Sequence, residues 1–190
     1  KDKEAKILGK SVIIATGGYA GSKALMRKYC PDYSEDLVQF GMPINVGDGL
    51  RMATGAGAAT EGLGLLQLIG PRFSTSSYIA AIVVEPNTIW LNKRGERFVD
   101  ESLSFRWPEA ANALARQPDK ICYNLFDEKI KQVFMKEGVS RGWIKYPTGT
   151  RMTELDKEMR AHLGKGEIKI SDSWEEIAKW MGVGPRVLKA

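Results

Sequence analysis

The sequence predicts a mixed fold, of the α/β or α+β class, in which short strands and short amphipathic helices alternate. Three observations predict it. A β-branched run at Val12-Ile13-Ile14 stops abruptly at Gly17-Gly18. The middle of the chain carries several apolar runs of strand length between turn residues. The last third places Met152, Leu155, Met159 and Leu163 at helical spacing.

From the N-terminus, Lys10–Thr16 is expected as a buried parallel strand, because its apolar run is continuous. Ser22–Tyr29 reads as a short helix. Ser22 suits the N-cap, where its hydroxyl can accept a first-turn N–H, and Pro31 lies past the end. Gly47-Asp48-Gly49 opens a second helix over Leu50–Thr54, which runs out into the small residues of Gly55–Thr60. Ile79–Val84, Thr88–Asn92 and Arg97–Val99 read as strands, the last two joined by a hairpin turn at Lys93-Arg94-Gly95-Glu96.

Trp107-Pro108-Glu109 starts a helix. Proline lacks an N–H that the first turn leaves unpaired anyway, and glutamate faces the positive end of the dipole. Ile121–Leu125 is a further strand. Phe126, Ile130, Val133 and Phe134 share one helical face, with Asp127 as N-cap. Ser173 and Glu176 form a capping box ahead of Trp174, Ile177 and Met181. Arg186–Ala190 reads as the first turn of a helix without a stop signal, so the chain is expected to be an interior stretch of a longer protein.

Composition narrows the function classes. The 190 residues are 43% hydrophobic and 27% charged, which suits a folded domain and excludes general disorder. The net charge of +5 is scattered, with no block of like charges, so a solvated surface is expected and no nucleic-acid partner. The five tryptophans do not interleave with basic residues as a single-strand stacking platform would. Cys30, Cys122 and His162 match no metal-ligand spacing, and no metal is expected. The longest apolar runs, Leu63–Ile69 and Ile79–Val84, fall well short of the ~20 residues of a membrane-spanning helix. The first ten residues are charged and are not a signal peptide. A soluble protein is expected, in the cytoplasm or the bacterial cell envelope.

Two glycine-bearing segments are candidate functional elements. Ala15-Thr16-Gly17-Gly18 is either a tight turn or a place where backbone without Cβ approaches a ligand at a strand's carboxyl end. At Gly47-Asp48-Gly49, either Asp48 caps the helix or the exposed N–H groups face an anionic or polar cofactor. Gly55–Thr60 approaches a GxGxxG pattern, but it follows a helix and has Thr60 in the sixth place, so it reads as a helix end. Arg97 and Glu101 could pair near the hairpin end. His162 is expected at the surface or half-buried beside the apolar stripe.

IIATGGYAG, NVGDGLRMATGAGAA and TIWLNKRGERFVDES occur in this order, followed by SWEEIAKWMGVGPRVLKA at the end. This series resembles the fumarate reductase and succinate dehydrogenase flavoprotein family, which includes 3-ketosteroid dehydrogenases. The resemblance implies an α+β protein in two segments: the rear part of an FAD-binding α/β domain over 1–72, and an α+β capping domain with a small sheet and flanking helices over 73–190. It implies that Ala15, Thr16, Gly17, Gly18, Gly47 and Asp48 face FAD. It implies a small-molecule substrate, reduced or dehydrogenated across a carbon–carbon bond, and an electron donor or acceptor as partners.

The chain departs from the family in several places. The family's QxHPT stretch is replaced by Gln67-Leu68-Ile69-Gly70-Pro71, with Ile69 where the histidine would stand, and its TEAxRG stretch is not visible near Tyr78–Val84. The substrate is therefore not expected to be fumarate itself. The family's acid arginine lies eight residues after the hairpin arginine, where Phe105 stands, and Arg106 follows one position later. Arg106 is the candidate catalytic residue, against a plain reading as a surface ion pair. The family's phosphate-binding GxGxxG and its C-terminal flavin-site segment do not occur in this sequence, so the chain by itself is expected to hold FAD weakly or not at all, and to be inactive. Its exposed domain faces are expected to self-associate. The alternative functions are a stand-alone, non-catalytic binding module derived from the capping domain, and a basic nucleic-acid binder.

Overall fold

The computed structural model describes residues 5–73, 78–143 and 145–189. It divides into two compact units between Leu66 and Gln67.

In the first unit, α1 (Lys23–Tyr29) starts where Ser22 Oγ accepts the Leu25 N–H at 3.3 Å. Its buried side chain is Met26, and buried Cys30 follows at its end. Tyr19 meets the Tyr29 ring edge-on at 5.9 Å, sets its hydroxyl 3.2 Å from Cys30 Sγ and donates to the Leu63 carbonyl. Helix α2 spans Asp48–Gly55. Gly47 is its N-cap, at φ +88°, and a Cβ there would fall 2.4 Å from Leu25 Cδ1. Glycine is thus required both by conformation and by space. Asp48 is not the cap: it is the first helical residue, and its carboxylate lies 3.7 Å from Arg51 Nη1.

The strand expected at Lys10–Thr16 is not present. Val12 and Ile13 are exposed and lie outside any strand. β-branched residues favour extended backbone, but a strand also needs a neighbour to complete its ladder, and none of the described residues supplies one.

The second unit holds two small antiparallel sheets. β1 (Ile89–Leu91) pairs with β2 (Tyr123–Leu125), with Trp90 opposite Asn124. β3 (Gly142–Trp143) pairs with β4 (Tyr146–Pro147). The strand expected at Arg97–Val99 shrinks to a single bridge between Leu91 and Arg97. Asn92 Oδ1 closes the hairpin turn by accepting from the N–H groups of Arg94 and Glu96 at 2.9 and 3.1 Å. Asp100 then accepts the Ser102 N–H at 2.9 Å and starts a 3-10 turn over Glu101–Phe105, which takes the chain out of the ladder.

A second correction concerns Ile79–Val84, expected as a strand. Tyr78–Ile82 is a short helix, α3, and its residues from Ile79 onward are buried. The Glu158 carboxylate accepts the N–H groups of Tyr78 and Ile79 at 3.0 and 3.3 Å, so a residue 80 positions away caps this helix. Periodicity cannot separate strand from helix in an apolar run this short.

The remaining helices are α4 (Trp107–Ala115), α5 (Glu128–Lys136), α6 (Leu155–Leu163) and α7 (Trp174–Met181). Asp127 caps α5 by accepting the Ile130 N–H at 2.8 Å. The core gathers Ile79 and Ile82 of α3, Phe134 of α5, and Met152, Leu155 and Met159. Met152 precedes α6 and is pinned by its N–H to the Phe134 carbonyl at 2.9 Å, so the apolar stripe runs from a loop into the helix. Only half of the expected capping box on α7 forms. Ser173 Oγ accepts the Glu176 N–H at 3.4 Å, but the Glu176 carboxylate turns to Ser171 Oγ at 3.0 Å and Lys169 at 2.8 Å. His162 is buried, not at the surface. Glu167 Oε2 satisfies its Nδ1 at 2.5 Å, and the ring meets Phe73 edge-on at 5.1 Å. Val187–Lys189 is a 3-10 turn, and Ala190 lies outside the described residues.

The described sheets are antiparallel, and helices precede, separate and follow their strands in sequence, an α+β arrangement. Among the described residues no helix is long and apolar enough to cross a membrane.

Candidate functional site

In the first unit, the two glycine segments singled out from the sequence come together. Thr16 Oγ1 accepts the Gly49 N–H at 3.0 Å, which joins Ala15-Thr16-Gly17-Gly18 to the first turn of α2. The approach is close: a Cβ on Gly49 would fall 2.2 Å from Thr16 Oγ1 and 2.4 Å from Ile14 Cγ2. Gly17 turns the chain at φ +72°, and the Asn45 side chain sits 2.7 Å from where its Cβ would be. Gly21 N–H donates to the Asn45 carbonyl at 2.9 Å and holds the same loop from the other side. Gly18 faces open space, with no atom within 4 Å of a Cβ built on it. The N–H groups of Gly17, Gly18 and Asp48 make no hydrogen bond among the described residues. Ala15, Thr16, Gly17, Gly18 and Asp48 are exposed and Gly47 is buried, so the surface consists of backbone amides around a tight joint. Gly49 belongs to a candidate segment but was not among the residues expected to face FAD, and Asn45 lay outside both segments. The signal for Gly49 was the second glycine of the Gly-Asp-Gly run; Asn45 had none.

In the second unit, Arg106 separates the 3-10 turn at Glu101–Phe105 from α4. Its guanidinium is 64% exposed and its Nη1 lies 2.9 Å from Glu109. Arg97 and Glu101 do pair. Glu101 is buried, accepts Arg97 Nε at 2.9 Å and also takes the Trp90 N–H at 2.9 Å, so the pair ties the hairpin end to β1. Hydrogen bonding to Glu101 raises the pKa of Arg97 above its ordinary value.

A third cluster had no signal in the sequence. Glu85 is fully buried, and its carboxylate accepts the Ser140 N–H at 2.7 Å, Ser140 Oγ at 2.6 Å, the Arg141 N–H at 3.0 Å and the Gly142 N–H at 2.8 Å. This clamp presents Arg141. The guanidinium lies 4.4 Å from the centre of the Trp107 ring, and Trp107 stacks on Trp143 at 4.5 Å with the planes 2° apart. Arg141 Nε donates to the Ser104 carbonyl at 2.5 Å, and Nη1 to the Gly142 carbonyl at 2.8 Å. Burial pulls its pKa down to about 10, against the opposing pull of Glu85, so it stays charged at neutral pH. Among the described residues, no group of three or more His, Cys, Asp or Glu side chains could hold a metal ion.

The FAD binding domain family matches residues 1–163. The chain belongs to that family. Among its relatives is the vinyl phenol reductase of Lactiplantibacillus plantarum, 32% identical over 161 residues, which cover 80% of this chain and 32% of the relative. The NADH:acrylate oxidoreductase of Vibrio harveyi is 27% identical over 177 residues, 90% of this chain and 16% of the relative. The chain therefore spans a third or less of the length of these relatives. Of solved structures, the 3-ketosteroid delta1-dehydrogenase of Sterolibacterium denitrificans, in complex with 1,4-androstadiene-3,17-dione, superposes with a TM-score of 0.60 at 22% identity, covering 91% of this chain and 30% of the other. The open conformation of a flavocytochrome c3 fumarate reductase gives 0.51 at 23% identity, covering 95% and 28%. At these identities the likeness is one of fold. FAD is the cofactor of the family to which the chain belongs.

Proposed function

We propose that the chain is part of an FAD-dependent oxidoreductase that reduces or dehydrogenates a carbon–carbon bond of a small organic substrate other than fumarate. Residues 1–72 would contribute to the FAD-binding domain, and 73–190 would form most of a capping domain over the substrate. The observation that carries this reading is the Thr16–Gly49 joint, which brings together the two segments that the family resemblance assigns to FAD. The division of the chain between Leu66 and Gln67 supports the two-segment reading.

The residues present fit a flavin cofactor. Close approach of a ligand to backbone needs glycine, and Gly18 offers open space where any other residue would carry a Cβ. The unbonded N–H groups of Gly17, Gly18 and Asp48 are donors for the polar edge of such a group. Bound FAD would supply the ring that accepts or delivers a hydride. Thr16 would act indirectly, by holding Gly49 and fixing the spacing of the two amide-bearing loops. Arg106 is proposed as the proton donor to the substrate carbon. Its exposure leaves the guanidinium accessible, and the contact of Nη1 with Glu109 orients it.

The relatives named for acrylate, vinyl phenol and fumarate reduction support carbon–carbon double bonds as the reacting class. The test uses the full-length gene product. It should purify with a flavin absorption spectrum, and its chemically reduced flavin should reoxidise on addition of an activated alkene such as acrylate. A product without flavin, even after incubation with excess FAD, would overturn the reading.

A further inference from the structure

We infer that Arg141 is a positioning residue for Arg106: it grips the chain on both sides of that arginine and so sets where its guanidinium stands. The inference rests on the proton-donor role proposed for Arg106 and adds the residue that would hold the donor in place.

Arg106 occupies a joint. Its N–H donates to the Leu103 carbonyl at 2.8 Å and closes the 3-10 turn, and its own carbonyl accepts the N–H groups of Glu109 and Ala110 at 3.0 Å and opens α4. With φ −116° and ψ 80° it continues neither helix, so the angle between the two sets the direction in which its side chain leaves. Glu109 orients the guanidinium only loosely. The two side chains are 64% and 52% exposed, and pairs this open to solvent contribute little.

Arg141 holds both sides of the joint. Its Nε donates to the carbonyl of Ser104, two residues before Arg106, at 2.5 Å. Its guanidinium lies 4.4 Å from the ring centre of Trp107, the residue after Arg106. One planar group thus fixes the end of the 3-10 turn against the start of α4, donating in its plane and stacking through its face. Trp143 completes the grip by stacking on Trp107 at 4.5 Å. The segment that carries Arg141 and Trp143 is itself tied down. Buried Glu85 accepts the N–H groups of Ser140, Arg141 and Gly142 at 2.7, 3.0 and 2.8 Å. The Glu85 charge also reaches the Arg141 guanidinium and favours its charged form. Phe105 and Arg106 lie inside the gripped stretch, and of these only Arg106 carries a group that can pass a proton.

The test uses the full-length protein loaded with FAD and follows reoxidation of its chemically reduced flavin by acrylate. Arg141→Gln should lower the rate at saturating acrylate about tenfold or more, because misplacing a reacting group by about 1 Å can cost about a hundredfold. Flavin content and the half-saturating acrylate concentration should stay within about twofold, since an interaction that acts only on the chemical step leaves binding intact. Lys165→Gln, at an exposed cation, should change neither. A double-mutant cycle separates positioning from a plain structural role: in an Arg106→Lys background, Arg141→Gln should slow the reaction by less than about twofold more. Hydrogen exchange should speed up in the peptide 103–110 of Arg141→Gln and stay unchanged around core residue Met152. Should Arg141→Gln fail to fold, Arg141→Lys decides: it keeps the charge, loses the planar group that reaches Ser104 and Trp107 together, and is expected to react several-fold more slowly. Undiminished slowing in the Arg106→Lys background, a change confined to half-saturation, or unchanged rates in both Arg141 variants would overturn the inference. A parent protein that holds flavin yet is not reoxidised by acrylate, or an Arg106→Lys variant as fast as the parent, would overturn the proposed function instead, and the exchange comparison reads the grip without any turnover.

Discussion

Thr16 Oγ1 accepts the Gly49 N–H at 3.0 Å and joins two segments 33 residues apart in the chain. Thr16→Val keeps the shape and removes the acceptor, and should cost the first unit about 1 kcal/mol. Gly49→Ala is the harsher change, because the new Cβ would overlap Thr16 Oγ1 and Ile14 Cγ2. Overpacking of this kind costs about 1–3 kcal/mol. In the full-length protein both variants should lose flavin, Gly49→Ala more than Thr16→Val, while Thr16→Ser keeps it. Flavin-to-protein absorbance ratios on purified variants provide the check, and an unchanged ratio in Gly49→Ala would remove the joint from the flavin site.

Glu85 governs the second unit in the same manner. Four donors converge on one buried carboxylate, so Glu85→Gln would replace an acceptor oxygen with an NH2 group facing N–H groups. A loss of about 3 kcal/mol is expected in urea denaturation. Ser140→Ala removes only the hydroxyl and should cost about 1 kcal/mol, because the three backbone donors persist. Equal effects from the two changes would mean that the backbone donors contribute little.

How much was legible in the sequence depends on how far each determinant lies from what it determines. The caps of α1, α5 and α7 are set within three residues, by Ser22, Asp127 and Ser173, and these helices were read correctly. The start of α4 follows from Pro108 at once. Tyr78–Ile82 was misread because its cap, Glu158, comes from α6. Likewise the glycine segments were visible as motifs, but the bond between them was not, and Glu85 with Arg141 lay 56 residues apart without any local pattern. Glu158→Ala tests the first of these points. It should cost about 1 kcal/mol by uncapping α3, and protection of the Ile82 and Val83 amides from hydrogen exchange should fall with it. A variant that exchanges like the parent chain would show that burial alone holds this helix.

Val12 and Ile13 are 86% and 91% exposed, and Ile7 and Leu8 nearby are similarly bare. A continuous exposed apolar run with β-branched residues is a template for association. The isolated chain should give a scattering mass above 21.1 kDa that rises with concentration, and Ile13→Lys should bring it towards the monomer value. A concentration-independent monomer would show that this run is tolerated in water.

Cys122 offers a chemical reading of the second unit. Desolvation first, then the charge of Glu101, pushes its thiol from an ordinary 9.0 up to about 12. The folded state therefore holds the proton more tightly than the unfolded state. Its contribution to stability is complete below pH 9.0 and is lost as pH rises from there towards 12. The thiolate is the nucleophile, so at pH 8 the folded chain should alkylate at Cys122 markedly more slowly than the urea-unfolded chain. Mass spectrometry of iodoacetamide-treated protein resolves Cys122 from Cys30 after digestion. Fast labelling of Cys122 in the folded chain would mean that the strand β2 region opens readily, and the Trp90–Asn124 pairing would then have to be weak.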